Sequence, residues 1–196
     1  MATGDRERWD ARHAAVVQDV PEPPDELRGR PELLPAGGRA LDVACGRGAV
    51  AVWLATRGFA VDAVDVSPVG LTAAEALARR CSVTDRVRWH LHDLDSGLPA
   101  DCPGPYDVVV CQRFRDPRMY PNLIQLLAVG GLLVITVLSE VGAAAGPFRA
   151  APGELRAAFA GLVVLAEREG RGEAGLVASH VTGRSRDAFH DQLGVA

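Results

Sequence analysis

The chain has 196 residues, 48% of them hydrophobic and 23% charged, with a net charge of -4 and a mean hydropathy near zero. One soluble globular domain is expected, and the acidic balance argues against a general electrostatic grip on nucleic acid. All 21 basic residues are arginine, which excludes a Walker-type phosphate loop, a pyridoxal Schiff base and a lysine general base together.

From the N-terminus, residues 5–18 favour a short amphipathic helix, with Trp9, His13 and Val16 or Val17 on one side. The opening residues are charged and lack the apolar core of a secretory signal, so a cytoplasmic protein is expected. Residues 19–38 follow as a connector draped over the domain, rich in proline around a helical fragment at 27–34 and closed by Gly37-Gly38. This divides the chain into a cover segment, 1–38, and a main domain, 39–196.

In the main domain short β-rich runs at 40–44, 60–64 and 87–91 alternate with helical stretches at 49–56 and 69–80. Such alternation predicts an α/β fold, a doubly wound, mostly parallel sheet with helices on both faces. A fourth strand at 106–111 is continuously apolar, as a strand buried on both faces should be. A helix at 117–129 and a fifth strand at 132–138 come next, then a helix near 153–159. Strands at 162–166 and 176–179 are too close for a crossover and should pair as an antiparallel hairpin at one edge of a seven-stranded sheet. The longest apolar run, 126–138, is broken by Gly130-Gly131 and is too short to span a membrane.

The strongest local signal is Leu41-Asp42-Val43-Ala44-Cys45-Gly46-Arg47-Gly48, a strand end turning into a helix rich in Ala, Val and Leu. Small residues let the backbone turn sharply and approach a ligand, while the helix start directs free N–H groups at negative charge. Gly46-x-Gly48-x-x-Ala51 also fits a dinucleotide fingerprint. Three carboxylates separate the readings. Asp42 lies inside the first strand end; Asp65, with Val66 after it, ends the second and can accept from ribose hydroxyls; Asp93, followed by Leu94, ends the third and can accept from an adenine amino group. This set favours an adenosyl ligand without a pyrophosphate.

Asp42 to Gly48, Asp65, Asp93-Leu94 and Tyr106 to Cys111 together resemble the ordered motifs of class I S-adenosylmethionine-dependent methyltransferases, over about residues 39–181. The resemblance implies a Rossmann-like sheet and S-adenosylmethionine as cofactor. It places Asp42, Gly46 and Gly48 at the methionyl part, Asp65 and Val66 at the ribose, Asp93 and Leu94 at the adenine, and Cys111 in the adenosine pocket. Ala44 stands where the family usually has the first glycine of the loop. Trp9 to His13, Gly146-Pro147-Phe148 and Gly153-Glu154-Leu155 resemble, more narrowly, the tellurite-resistance and thiopurine type of small-molecule methyltransferase.

Gln112 and Arg113, just after the fourth strand, are the residues expected to orient a small-molecule methyl acceptor, Arg113 through its planar fork. Arg115 and Arg118 read as helix-start charges paired with Asp116. Trp9 either covers a sulfonium or pins the first helix, and His13, Tyr120 and His180 are the other proton acceptors to consider. His90 and His92 look like half a metal site, but spacing fixes no third ligand, and methyl transfer calls for no metal. No C-x-x-C pair exists among the four cysteines, so reduced buried thiols are expected. Neither a nucleic-acid partner nor an oligomeric state is indicated. The competing readings are a nicotinamide-binding oxidoreductase fragment and a non-catalytic S-adenosylmethionine-binding module.

Overall fold

A computed structural model describes residues 3–15 and 20–181. Seven strands form one sheet: β1 (Gly38–Val43), β2 (Phe59–Asp65), β3 (Val87–Leu91), β4 (Tyr106–Gln112), β5 (Leu127–Leu138), β6 (Val163–Gly170) and β7 (Glu173–Ser179). Their order is β3-β2-β1-β4-β5-β7-β6, with β3 to β5 parallel and the β6–β7 hairpin antiparallel at the edge. The α/β architecture expected from the alternating pattern is therefore the one adopted. Five helices accompany the sheet: α1 (Thr3–Ala14), α2 (Ala49–Thr56), α3 (Pro68–Arg80), α4 (Tyr120–Gln125) and α5 (Glu154–Ala158).

The central strands are apolar without alternation because both sheet faces are covered. One core joins β1, β2 and β4 to α2 and α3 through Val52, Leu54, Leu77, Ala78 and Val108. The other lies under α4 and α5 and holds Leu41, Val109, Leu123, Ile135, Leu155 and Phe159. Ser67 caps α3 by accepting from the Gly70 N–H at 3.0 Å, with Pro68 opening the helix.

Three segments depart from the expectation. The helical fragment at 27–34 is two separate 3-10 turns, Asp25–Leu27 and Pro31–Leu33, because Pro31 breaks the run. The helix expected over 117–129 is a 3-10 turn, Pro117–Met119, followed by α4, which stops at Gln125. Leu127 instead starts β5 by pairing with Tyr106, and a register shift precedes the next pair, Val108 with Leu132. Gly130 has φ 82° and Val129 is exposed, so the extra residues loop out of the ladder. The hairpin strands also run longer than expected, joined at Arg171-Gly172. Val16 and Val17, assigned to the first helix face, lie outside the described residues.

Chain order places the ligand edge. From β1 the chain moves outward to β2 and β3, then returns across to β4 on the other side of β1. Open α/β sheets bind ligands at the strand C-termini beside such a reversal, here the ends of β1 and β4.

Candidate active site

The turn after β1 carries Ala44, Gly46 and Gly48 at φ 57°, 56° and 76°. Left-handed backbone is natural for the two glycines; at Ala44 the Cβ costs about 1–2 kcal/mol. Gly48 also lacks room for a side chain, since a Cβ there would lie 2.6 Å from Ala74 and 2.8 Å from Trp89. With Gly48 at the start of α2 and no side-chain cap, the buried Asp42 carboxylate accepts from the Ala51 N–H in the first turn. Its Oδ2 atom is buried without a partner among the described residues. Burial, reinforced by nearby Asp65, pushes Asp42 up to about 8. An orphaned carboxyl oxygen beside a glycine turn and a helix start is a donor-seeking group, and it fits the cationic methionyl end of an adenosylmethionine.

Asp65 ends β2 and holds the same turn from the other side: Oδ2 accepts from the Gly46 N–H at 2.7 Å and Oδ1 from the Ser67 N–H at 2.9 Å. An ionised carboxylate offers about four acceptor sites, so room remains for ribose hydroxyls. Val66 follows, half-buried. Asp93 caps the 3-10 turn Leu94–Ser96 by accepting from the Asp95 N–H at 3.0 Å, and Leu94 is buried beside it. Thus Asp42, Asp65 and Asp93 stand at three adjacent strand ends, as the sequence spacing anticipates. Cys111, near the end of β4, is buried next to Asp42, and burial and that neighbour push its thiol up to about 12. It is an inert wall and no competing nucleophile.

Helix α1 crosses the turn. Its His13 ring lies against Gly46 and Gly70, where an added Cβ would sit 3.2 and 3.1 Å from ring atoms. Arg47 donates to the His13 carbonyl at 2.5 Å and Ser67 to Asp10 at 2.5 Å. Trp9 stacks on His13 at 5.9 Å, with the Arg12 guanidinium 5.3 Å from its ring, contacts made within α1 itself. Desolvation holds His13 below its ordinary value, against the pull of Asp65.

At the ends of β4 and β5, Gln112 Nε2 reaches Thr136 Oγ1 at 3.5 Å, and Thr136 in turn donates to Glu26 at 3.4 Å. Glu26, from the cover segment, is buried and accepts from Arg168 Nε at 2.7 Å. It packs on Gly175, where a Cβ would lie 1.9 Å from its carboxylate. Sequence reasoning did not find Glu26; its signal, one carboxylate among several in a proline-rich connector, has no periodicity. Arg113, at φ 57°, is 64% exposed and lies 3.7 Å from Asp25 and 3.8 Å from Glu173, on the rim rather than the floor.

One expected pairing differs. Arg118 does bind Asp116, at 2.8 Å, but Arg115 makes a two-pronged pair with Glu154 at 2.8 and 2.6 Å. Glu154 also accepts from Tyr120 at 3.1 Å, so the Gly153-Glu154-Leu155 segment is tied under the β4 loop. His180 is not at the site: its backbone pairs with Gly130 and Gly131, at the opposite end of β5. His90 and His92 also diverge, His92 turning to the Gly97 carbonyl at 3.1 Å.

Residues 40–131 match a family model described as a methyltransferase domain. A ubiquinone biosynthesis O-methyltransferase of Psychrobacter cryohalolentis is 32% identical over 110 residues, covering 54% of this chain and 42% of that protein. The chain thus spans less than half the length of that relative. Among solved structures, TehB from Haemophilus influenzae superposes with a TM-score of 0.63 at 20% identity, covering 72% of this chain and 57% of that one. A geranyl diphosphate C-methyltransferase from Streptomyces coelicolor does so at 0.68 and 15%, covering 92% and 100%. No described helix is long and apolar enough to cross a membrane. The glycine turn, Asp42, Asp65, Asp93 and the end of β4 all fall inside the segment, residues 40–131, that matches the methyltransferase-domain model.

Proposed function

We propose that this chain transfers a methyl group, in line, from the sulfonium of S-adenosylmethionine to a small-molecule nucleophile, an oxyanion, thiol, phenol or aromatic nitrogen. The observation that carries this reading is the row of Asp42, Asp65 and Asp93 at adjacent strand ends around one glycine turn, with Asp42 Oδ2 buried and unpartnered. Asp42, Ala44, Gly46 and Gly48 bound the methionyl part, Asp65 and Val66 the ribose, Asp93 and Leu94 the adenine, and Cys111 the floor. The bound cofactor supplies an electrophilic methyl group on a positively charged sulfur; the chain supplies alignment and exclusion of water.

On the acceptor side, Gln112 offers an amide that can both donate and accept, held by Thr136 above the Glu26 carboxylate. Arg113, loosely paired and exposed, draws an anionic acceptor to the rim. The name of the ubiquinone biosynthesis relative supports a small acceptor whose nucleophile is oxygen. A pyrophosphate-bearing nicotinamide cofactor is the poorer fit, because the ionised Asp93 adds negative charge to the cleft.

Titration calorimetry with S-adenosylhomocysteine and with NAD and NADP tests the reading. Binding of the adenosyl ligand alone is expected, with a stabilisation of about 2.7 kcal/mol at 100 times its dissociation constant. Binding of a nicotinamide dinucleotide alone overturns it. Adenosyl binding without methyl transfer to any oxyanion, thiol or phenol moves the chain to the class of non-catalytic binding modules.

A further inference from the structure

On the face of the sheet that carries α4, away from the glycine turn, Asp62 of β2, His90 of β3 and Cys102 of the loop entering β4 converge. One ligand-type atom from each lies within 4.8 Å of the other two. Cys102 and Asp62 are buried and the His90 side chain is 10% exposed. The methyl-transfer reading uses none of the three.

The histidine makes the cluster unusual. His90 Nε2 lies 3.1 Å from Asp62 Oδ1, and its Nδ1 lies 3.2 Å from Asp101 Oδ2. A neutral imidazole carries one N–H, so it can donate to one of these carboxylates and must turn a lone pair toward the other. A second positive charge, a proton or a metal ion, is needed to reconcile the two contacts. Asp101 on Nδ1 is also the outer carboxylate that orients a metal-bound histidine, leaving Nε2 free to ligate.

We propose that Asp62, His90 and Cys102 form a site for one zinc-class divalent cation, with Asp101 as the outer partner of His90. A nitrogen, a carboxylate oxygen and a sulfur are the donor set of a borderline-soft tetrahedral ion, and hard magnesium or calcium would not choose the thiolate. Tetrahedral zinc places its ligand atoms about 3.3–3.9 Å apart, so no separation within 4.8 Å must contract by more than about 1.5 Å. On loading, the Cys102 thiol releases its proton to solvent and His90 ligates through the Nε2 lone pair while its Nδ1–H donates to Asp101. A water completes the fourth position. Arg88 Nε, now 2.9 Å from Asp62 Oδ1, yields that oxygen; its side chain is 66% exposed and free to turn outward. Asp62 Oδ2 keeps the Tyr106 hydroxyl at 2.9 Å. The ion would clamp β2 and β3 to the loop that leads from Asp93 into β4, a structural role beside the adenine end of the cleft.

Cobalt(II) added to the metal-free full-length chain tests this. One equivalent is expected to produce tetrahedral ligand-field absorption and a sulfur-to-cobalt charge-transfer band, both removed by excess zinc. Cys102→Ser should abolish the charge-transfer band and His90→Gln should weaken binding at least tenfold, whereas Cys81→Ala, remote from the cluster, should leave both intact. X-ray absorption on zinc-loaded unmodified protein gives a readout that needs no variant: one sulfur at about 2.3 Å with nitrogen and oxygen neighbours. A shell without sulfur, the absence of a charge-transfer band, or a band that survives in Cys102→Ser overturns the proposal.

Discussion

At the ends of β1 and β2, carboxylate side chains answer mostly to backbone nearby in the chain, Asp65 to Ser67 two residues away and to Gly46 nineteen away, with one longer tie from Ser67 to Asp10 of α1 across 57 residues. At the ends of β4, β5 and β7 they reach much further. Glu26 meets Thr136 across 110 residues and Arg168 across 142, and Arg115 meets Glu154 across 39. The region around the glycine turn is thus largely a backbone device held by a few carboxylates, and the region around β4, β5 and β7 an assembly of long-range ion pairs on the same sheet; in the proposed reading these are the cofactor and acceptor halves. The first can be preserved while the second changes, which is how one cofactor site comes to serve different acceptors.

The comparison breaks most sharply at Asp65. Asp65→Ala strips the acceptor from two N–H groups of the turn, and S-adenosylhomocysteine affinity is expected to fall about 100-fold, or ~2.7 kcal/mol. Calorimetry on the folded variant decides it, and a loss under tenfold would show that the glycine turn holds itself.

Asp42 sharpens the same half through pH. Its carboxyl is raised to about 8 in the folded chain and sits near 4 when unfolded, so the fold favours the protonated form. That contribution is present below about pH 4 and is lost as pH rises through about 8. Between pH 6 and 8 the free protein should lose roughly 1–3 kcal/mol of stability from this group. Asp42→Asn should flatten that slope in denaturant unfolding; an unchanged slope would assign it to other groups.

The smallest effect is expected on the acceptor side. Glu26→Ala removes the partner of Thr136 and of the half-exposed Arg168, at a cost of about 1 kcal/mol after solvent screening. Cofactor affinity should stay within twofold while acceptor turnover changes. Equal losses of both would show that the two halves are one unit.

Much of the fold was legible because it is written in periodicity and short-range chemistry. Short β-rich runs marked β1, β2 and β4, Gly46 and Gly48 marked a sharp turn, and the helical stretches at 49–56 and 69–80 marked α2 and α3. The error at 117–129 has a physical source. Leu126 to Val129 suits a helix or a strand equally, and the choice fell to Tyr106, whose backbone supplies a ladder partner for Leu127. Arg115 and Arg118 were indistinguishable beside Asp116 until α5 brought Glu154 within reach.

The amino-acid sequence by itself determined the parallel sheet, the glycine turn and the three strand-end aspartates, because each depends on residues close in the chain and on burial on both faces. Tertiary structure alone decided that Glu26 reaches Thr136 and Arg168, that α1 lies on the glycine turn through His13, and that Asp62, His90 and Cys102 meet. Those contacts join segments whose separation carries no periodic signal, and only the packing of the sheet and its cover brings them within bonding distance.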